Sequence, residues 1–478
     1  MSADTNFNRE LMNLREKSTL CSPDIDGYLD YATSIINFKK YDGRHKKLLK
    51  KSIQPKVDSN TINFDLIEAT KLITHELTHY LDLTTTVWGV EFLVRRDLAL
   101  SKISETAQEA VNVSMLNISE ILMHKELVKI HRLVRLENIK LAHTVTYDKK
   151  YGPIIIIHIS KHGDLIAETP LSMLSLLEAN AVANEMMAEA KWISTTCGSL
   201  SNYHEQRISS RLDEIIKDPN RLEYNILHLL IKLHFPELNF LSKLSLSVAI
   251  FDFALNISGI DMSAMANLLV RTITNRETGD ALCNDLCRGM SRQVVSFKLI
   301  LLIHQYINET GLGNQEMTDL LEKDPLSIII STLKHFGLEL PSHKGNTLSF
   351  SDLEYNAGIR LLRKHKGKFE PKGHISSMLK NRRIRRTSCF IAHNLKKYEL
   401  PDLLLDDETR FKMPTRQRYN VTQHWDEMYE ECLAFNKLAN SPDVNKKFHL
   451  GLGEWGPMQE LRSRTIAARI LRDINNTE

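Results

Sequence analysis

The chain has 478 residues, more than a single hydrophobic core usually organises, so we expect about two or three domains. Hydrophobic residues make up 42% and charged residues 25% of the sequence, which is typical of a soluble globular protein. The formal net charge of +3 does not by itself indicate nucleic-acid binding, and the apolar runs are too short to cross a membrane. Six scattered cysteines and the lack of an apolar N-terminal signal predict a cytoplasmic protein with reduced thiols.

Residues 1–60 form a polar N-terminal segment with a basic cluster at residues 38–51, which we interpret as a solvated face. A helix is predicted to begin after Asn63, whose side chain suits the N-cap position. Asp65 and Glu68 follow in the early turns, where negative charge is favourable to the helix dipole.

The stretch LTTTVWGVEF, residues 83–92, predicts that this helix has ended, because β-branched threonines and a glycine are weak helix formers. Residues 96–142 again show Leu, Ile and Val at helical spacing and predict further helix. The run YGPIIIIHIS, residues 151–160, is β-branched and bounded by turn residues, so it predicts a strand.

A second long helix is predicted over residues 168–192, with Thr169 as its N-cap and Pro170 as its first residue. Residues 205–340 then show helical patterns, interrupted by short proline-containing turns.

The first of these helices contains ITHELTHYLD, in which two histidines are spaced to share a metal ion. His75 and His79 are four residues apart, so on a helix they lie one turn apart on the same face, close enough to bind one tetrahedral zinc. Glu76 follows the first histidine and is placed to act as a general base towards a zinc-activated water. Asp82 lies about two turns from His75, and we expect it to orient His79 rather than to bind the metal.

A catalytic zinc needs a third protein ligand, and the sequence offers a later helix that carries carboxylates. The extended motif HExxHxxGxxH is excluded, because Asp82 and Thr85 stand where that motif has Gly and His. In the later stretch LLEANAVANE, Glu178 and Glu185 are seven residues apart and point the same way, and Glu189 continues the row.

These motifs resemble the gluzincin branch of the HExxH zinc metallopeptidases, in which a downstream helical Glu with an alanine three positions later completes the metal site. More narrowly, they are similar to a group of bacterial proteins with an HExxH helix, a threonine-rich turn and a later ExxA helix. The resemblance implies that Glu178 is the third zinc ligand and Glu185 a carboxylate beside the ligands.

The resemblance also implies a fold class and a domain order. We expect a mainly α (α+β) protein in which a zincin-like metallopeptidase domain with a small β-sheet is followed by helical domains. The expected boundaries are listed in chain order: residues 1–60, the polar segment; 61–235, the metallopeptidase domain; 236–345, a helical domain; and 346–478, a basic helical region.

Three questions stay open at this point. Glu91 is a rival third ligand, although its neighbours favour core packing. Zincins place a strand before the HExxH helix, so either a strand lies near residues 28–38 or the chain departs from that order. The donor that would stabilise an oxyanion is to be sought among Tyr203, His204 and Tyr224.

The C-terminal region carries a basic band at residues 363–386, which contains ten Lys or Arg residues and a single acid, Glu370. No nucleic-acid-binding motif accompanies it, so a solvated or partner-binding surface is favoured. We expect residues 363–397 to bind a regulatory protein or a nucleic acid. Deletion of residues 346–478 is then expected to alter regulation while zinc binding survives.

Together these features predict a Zn²⁺-dependent peptidase that hydrolyses a protein or peptide substrate and is gated by a partner or ligand, without a membrane role. The alternative is a helical module that binds nucleic acid or protein and carries HELTH incidentally. Zinc content separates the two hypotheses, because only the first needs the metal.

Overall fold

The helix that contains the HExxH motif and the helix that contains Glu178 and Glu185 pack side by side. The fold is mainly helical, as expected, and has two small β-sheets. We describe the fold from a computed structural model, which covers residues 26–31, 34–53, 63–102, 123–149, 151–196, 201–340, 349–364 and 372–415. The α-helices with defined bounds are, in chain order, α1 Lys46–Ile53, α2 Phe64–Thr85, α3 Val87–Lys102, α4 Met173–Thr196, α5 Ser201–Lys217, α6 Leu222–His234, α7 Phe240–Asn256, α8 Gly259–Val270, α9 Arg276–Cys287, α10 Arg292–Thr310, α11 Asn314–Lys323, α12 Pro325–His335, α13 Phe350–Lys364, α14 Lys372–Thr387 and α15 Ile391–Asn394.

Each of the two sheets has four strands in the described part of the chain. The strands are β1 Gly27–Asp30, β2 Ile35–Phe38, β3 Lys129–Ile130, β4 Ile139–Asp148, β5 Gly152–Lys161, β6 Asp164–Pro170, β7 Leu403–Leu405 and β8 Arg410–Phe411. Their orders are β1-β2-β7-β8 and β3-β6-β5-β4. The strand predicted at residues 151–160 is confirmed as β5, and β1 and β2 place strands before the HExxH helix, near residues 28–38.

The first sheet joins distant parts of the chain. Ile36 in β2 pairs in parallel with Leu403 in β7, and β1 lies against α2. Segments from the predicted first and last domains therefore share one sheet. The boundaries after residues 60, 235 and 345 stay predictions.

The second predicted helix begins later than expected, because its first residues belong to a strand. Thr169 and Pro170 are the last residues of β6, where they pair with Ile157 and Ile156 of β5. Pro170 lies beyond the residues that pair with β3, so its missing N–H does not interrupt that ladder. The helix α4 starts at Met173, three residues after the predicted N-terminus.

The expectation of helix throughout residues 96–142 is also corrected. The helix α3 accounts for its start and residues 123–127 are also helical, residues 103–122 lie outside the described residues, and residues 129–130 and 139–142 belong to β3 and β4. All ten residues of β4 pair antiparallel with β5. The β-branched strand β5 therefore decides the conformation of its neighbour, which local helical spacing alone does not reveal.

The junction after α2 is tighter than the sequence suggests. The helix ends at Thr85, within the stretch 83–92 that predicts its end, but VWGVEF in that same stretch is the first turn and a half of α3. Thr86 has an extended backbone, and its Oγ1 accepts a hydrogen bond of 2.9 Å from the Gly89 N–H, as a helix N-cap does. A Cβ on Gly89 would overlap the carbonyl oxygens of Asp82 and Leu83, so a glycine is needed where α3 turns back against α2.

One hydrophobic core cluster runs through the described helices and sheets, and α2 and α4 lie inside it. Among the described residues, no single helix is both long and apolar enough to cross a membrane. Only the pair α7 and α8, which is bent by 116° at its break, passes a test of length and composition when the two are joined.

The basic band is partly turned inward, which differs from the solvated or partner-binding surface favoured by its composition. Arg382 and Arg385 of α14 are buried, and Lys380 forms a 2.6 Å ion pair with Glu399. Arg383 is exposed. The helix α14 packs on α2, so its inward arginines face buried acids that lie far away in the sequence.

Candidate metal centre

The HExxH helix α2 is buried over most of its length, and its threonines make that possible. Asn63 caps the helix as predicted, accepting a hydrogen bond of 3.1 Å from the Leu66 N–H. Inside the helix, threonine hydroxyls donate to the carbonyl oxygen four residues earlier, which satisfies them without water. These are Thr70, Thr74, Thr78 and Thr84, with O···O distances of 2.7–2.8 Å.

Two histidines of α2 and one glutamate of α4 converge on a single point. The distances are 3.3 Å from His75 Nε2 to His79 Nε2, and 3.3 Å from each of these nitrogens to Glu178 Oε2. In a tetrahedral zinc site with bonds of about 2.0–2.1 Å, the ligand atoms are separated by about 3.3–3.4 Å. The three atoms are therefore spaced as the donors of one tetrahedral ion, and together they form a buried group that could hold a metal.

The outer nitrogens of both imidazoles are engaged, which fixes the orientation of the rings. His75 Nδ1 lies 3.1 Å from Glu185 Oε2, and His79 Nδ1 lies 3.3 Å from the Tyr31 hydroxyl. A histidine that binds a metal through Nε2 carries its proton on Nδ1 and donates it to such a partner. Glu185 thus contacts His75, one of the three residues that could hold a metal ion.

Glu76 is buried with both carboxylate oxygens lacking a hydrogen-bond partner among the described residues. Burial raises the pKa of this carboxyl to about 7, although His75 and His79 act in the opposite direction. A buried, unsatisfied carboxylate is costly and is found where function requires it. A carboxyl with a pKa near neutral pH can both accept and release a proton there, as a general base must.

The charges of the three donors also fit a cation. Burial alone would lower the pKa of His75, but hydrogen bonds to Glu178 and Glu185 raise it well above its ordinary value. For Glu178, burial acts to raise the pKa, and the histidines outweigh it and hold the pKa below the ordinary range. The group therefore favours positive charge, which either a proton or a metal ion supplies.

Asp82 makes contacts different from those expected. Its carboxylate accepts hydrogen bonds of 3.1 and 2.9 Å from the Asn180 amide and one of 2.7 Å from Arg385. The contact to His79 Nδ1 comes from Tyr31 instead. Asp82 therefore ties α2 to α4 and α14, about two turns along the helix from His75.

The rival ligand Glu91 lies in a separate polar cluster. It forms an ion pair of 3.3 Å with Arg292, and its neighbour Glu354 accepts a hydrogen bond of 2.8 Å from the Gly259 N–H. Among the described residues, the group spaced for one ion contains Glu178 and not Glu91.

Of the three residues considered as oxyanion donors, one is described near the centre. The Tyr224 ring centroid lies 6.2 Å from that of His75. The side chains of Tyr203 and His204 lie outside the described residues. His75, at 8% exposure, is the most accessible of His75, Glu76, His79 and Glu178.

Sequence reasoning missed two residues of this centre. Tyr31 lies 48 positions before His79, and no local pattern links them. Lys71 could have been found, because it precedes His75 by four residues and so shares the face of the two histidines. Comparisons with known proteins add no relative, since no family model, curated protein or solved structure matches the chain.

Proposed function

We propose that this chain is a zinc-dependent peptidase with a gluzincin-like arrangement, in which His75, His79 and Glu178 hold the metal and Glu76 is the general base. The observation that carries the proposal is the convergence of two imidazole nitrogens and one carboxylate oxygen at mutual distances of 3.3 Å. A donor set of two nitrogens and one oxygen suits zinc better than magnesium or calcium, which prefer oxygen alone.

When bound, zinc would lower the pKa of water and polarise a carbonyl group. The residues of the chain supply the rest of the chemistry. Glu76 takes a proton from water while the water oxygen bonds to the carbonyl carbon, and it returns the proton to the nitrogen of the leaving amine as the C–N bond breaks. Glu76 is buried and its oxygens have no hydrogen-bond partner among the described residues, so they are available to a water molecule. Glu185 and Tyr31 hold the imidazoles of His75 and His79 in place.

The substrate is a protein or peptide, and its access to the metal centre is regulated. Exposure of 0% for Glu76 and His79 and of 1% for Glu178 supports a site that must open before a polypeptide reaches it. The exposed basic residues within 363–397, which include Arg383 and Lys396, are candidates for contact with a regulatory protein or nucleic acid.

The metal content of purified variants tests the proposal. The wild-type chain should hold about one zinc, His75→Ala and Glu178→Gln should lose it, and Glu76→Gln should keep zinc but lose peptide hydrolysis. His335→Ala, which alters an exposed histidine on α12, is the matched control and should change neither property.

A wild-type protein without zinc after zinc supplementation would refute the proposal. In that event, salt-sensitive binding of nucleic acid or protein would favour the alternative of a helical binding module.

A further inference from the structure

A fully buried lysine lies next to the candidate metal centre. Lys71 is 1% exposed, and its Nζ lies 3.0 Å from Glu68 Oε1, 3.6 Å from Glu185 Oε1 and 3.9 Å from Glu189 Oε2. It precedes His75 by one helical turn on the same face of α2. The ammonium group is therefore surrounded by carboxylates from α2 and α4, one of which contacts a proposed metal ligand.

A lysine in this position needs a reason. Burial of an ammonium group is costly unless it is paired, and lysine is among the residues least often buried completely. A leucine or methionine would fill the same space in α2 without that cost. The ion pairs of Lys71 with Glu68 and Glu185 therefore explain its presence better than packing does.

Each carboxylate oxygen of Glu185 has a charged or polar partner. Its Oε2 lies 3.1 Å from His75 Nδ1, while Oε1 lies 3.6 Å from Lys71 Nζ and 3.7 Å from Arg211 Nη2. A carboxylate anchored at one oxygen has little freedom to turn the other away from its partner. These two ion pairs favour the orientation of Glu185 in which its other oxygen faces His75.

We propose that Lys71 is a positioning residue of the metal centre, which acts on His75 through Glu185 and so increases the affinity for zinc. This inference rests on the proposed function, because it presupposes that His75 binds a metal. Lys71 keeps Glu185 aimed at His75 Nδ1, which retains the proton on that nitrogen and leaves the Nε2 lone pair directed at the centre.

The sign of the effect separates positioning from simple electrostatics. Loss of a nearby positive charge would, by Coulomb's law alone, make the site bind a cation more tightly. Loss of a group that orients a metal-binding histidine typically weakens metal affinity about 10–100-fold. We therefore expect the Kd for zinc to rise about 10-fold in Lys71→Met.

Zinc affinity of the full-length chain, measured by competition of Zn²⁺ with a chromophoric chelator, tests this inference. The matched control is Lys298→Met, which removes another buried lysine. Lys298 lies on α10 and donates a 2.9 Å hydrogen bond to Thr272 in the turn after α8, and neither segment carries a proposed ligand. A cycle with Glu185→Gln completes the design, because a residue that acts through Glu185 should cause no further weakening once that carboxylate is gone.

Three results would overturn the inference: tighter or unchanged zinc binding in Lys71→Met, equal weakening in Lys298→Met, or the same weakening in the Glu185→Gln background. If Lys71→Met does not fold, as judged by circular dichroism, the cycle is run with Lys71→Gln, which keeps a donor but not the charge. A wild-type chain without zinc would refute the proposed function itself, whereas wild-type binding with an unaffected lysine variant refutes only the positioning role.

Discussion

Arg385 offers the sharpest test of how the C-terminal segment supports the HExxH helix. Its guanidinium donates hydrogen bonds of 2.7 Å to Asp82, 2.7 Å to Asp252 and 3.1 Å to Thr85. The Arg385 side chain is 2% exposed, and those of Asp82 and Asp252 are 0% and 11% exposed. One buried cation therefore joins α2, α7 and α14.

Replacement of Arg385 with Met should lower the free energy of unfolding by about 3–5 kcal/mol. This is the usual cost of removing one partner of a buried ion pair, because the other charge is left buried without compensation. Asp82 keeps its two hydrogen bonds from Asn180, which offset part of the loss. The additional changes Asp82→Asn and Asp252→Asn should recover much of it, since they remove the uncompensated charges.

Chemical denaturation with excess chelator measures this effect without a contribution from bound metal. Arg383→Met is the matched control, because Arg383 lies on the same helix with an exposed side chain, and its effect should stay within about 0.5 kcal/mol. A loss below about 1 kcal/mol for Arg385→Met, or no recovery in the triple variant, would refute the reasoning.

Three further predictions follow from single contacts. Deletion of residues 346–478, which sequence reasoning expects to leave zinc binding intact, should instead abolish cooperative unfolding and zinc retention, since it removes both Arg385, the cation of Asp82, and β7, the partner of β2 in the first sheet; a folded, zinc-loaded fragment would contradict this. Burial, with Glu91 beside it, raises the pKa of Glu354 to about 7, so the folded chain retains a proton that the unfolded chain releases and stability falls as pH rises towards 7. Glu354→Gln should therefore gain about 1–2 kcal/mol relative to wild type between pH 5 and pH 8 in denaturation experiments, a range already reduced for partial exposure, and parallel pH profiles would disprove it. Gly89→Ala should lower the thermal midpoint sharply, because the added Cβ overlaps backbone carbonyls at the end of α2, and an unchanged midpoint would count against that geometry.

Local patterns in the sequence were sufficient where the interaction is local. The cap at Asn63, the end of α2 within residues 83–92 and the strand β5 each depend on residues within a few positions, and each is confirmed. The spacing of His75 and His79 belongs to the same class, because one helical turn sets the distance between them.

Patterns failed where a distant partner decided the outcome. Thr169 resembles an N-cap, yet pairing with β5 makes it the end of a strand. The basic band resembles a solvated or partner-binding surface, yet the Arg385 side chain is buried and pairs with Asp82 and Asp252, which are both more than a hundred residues away. Long-range pairing overrides local preference in both cases, because burial of a paired group gains more than the local preference loses.

The sequence by itself determined that one helix presents two imidazoles and a glutamate on chemically suitable positions. Only the tertiary structure decided that Glu178 lies 3.3 Å from both imidazoles, that Tyr31 contacts His79 and that Lys71 Nζ lies 3.6 Å from Glu185. The physical reason is that a helix fixes distances within about two turns, whereas a site drawn from several segments exists only once packing has brought them together.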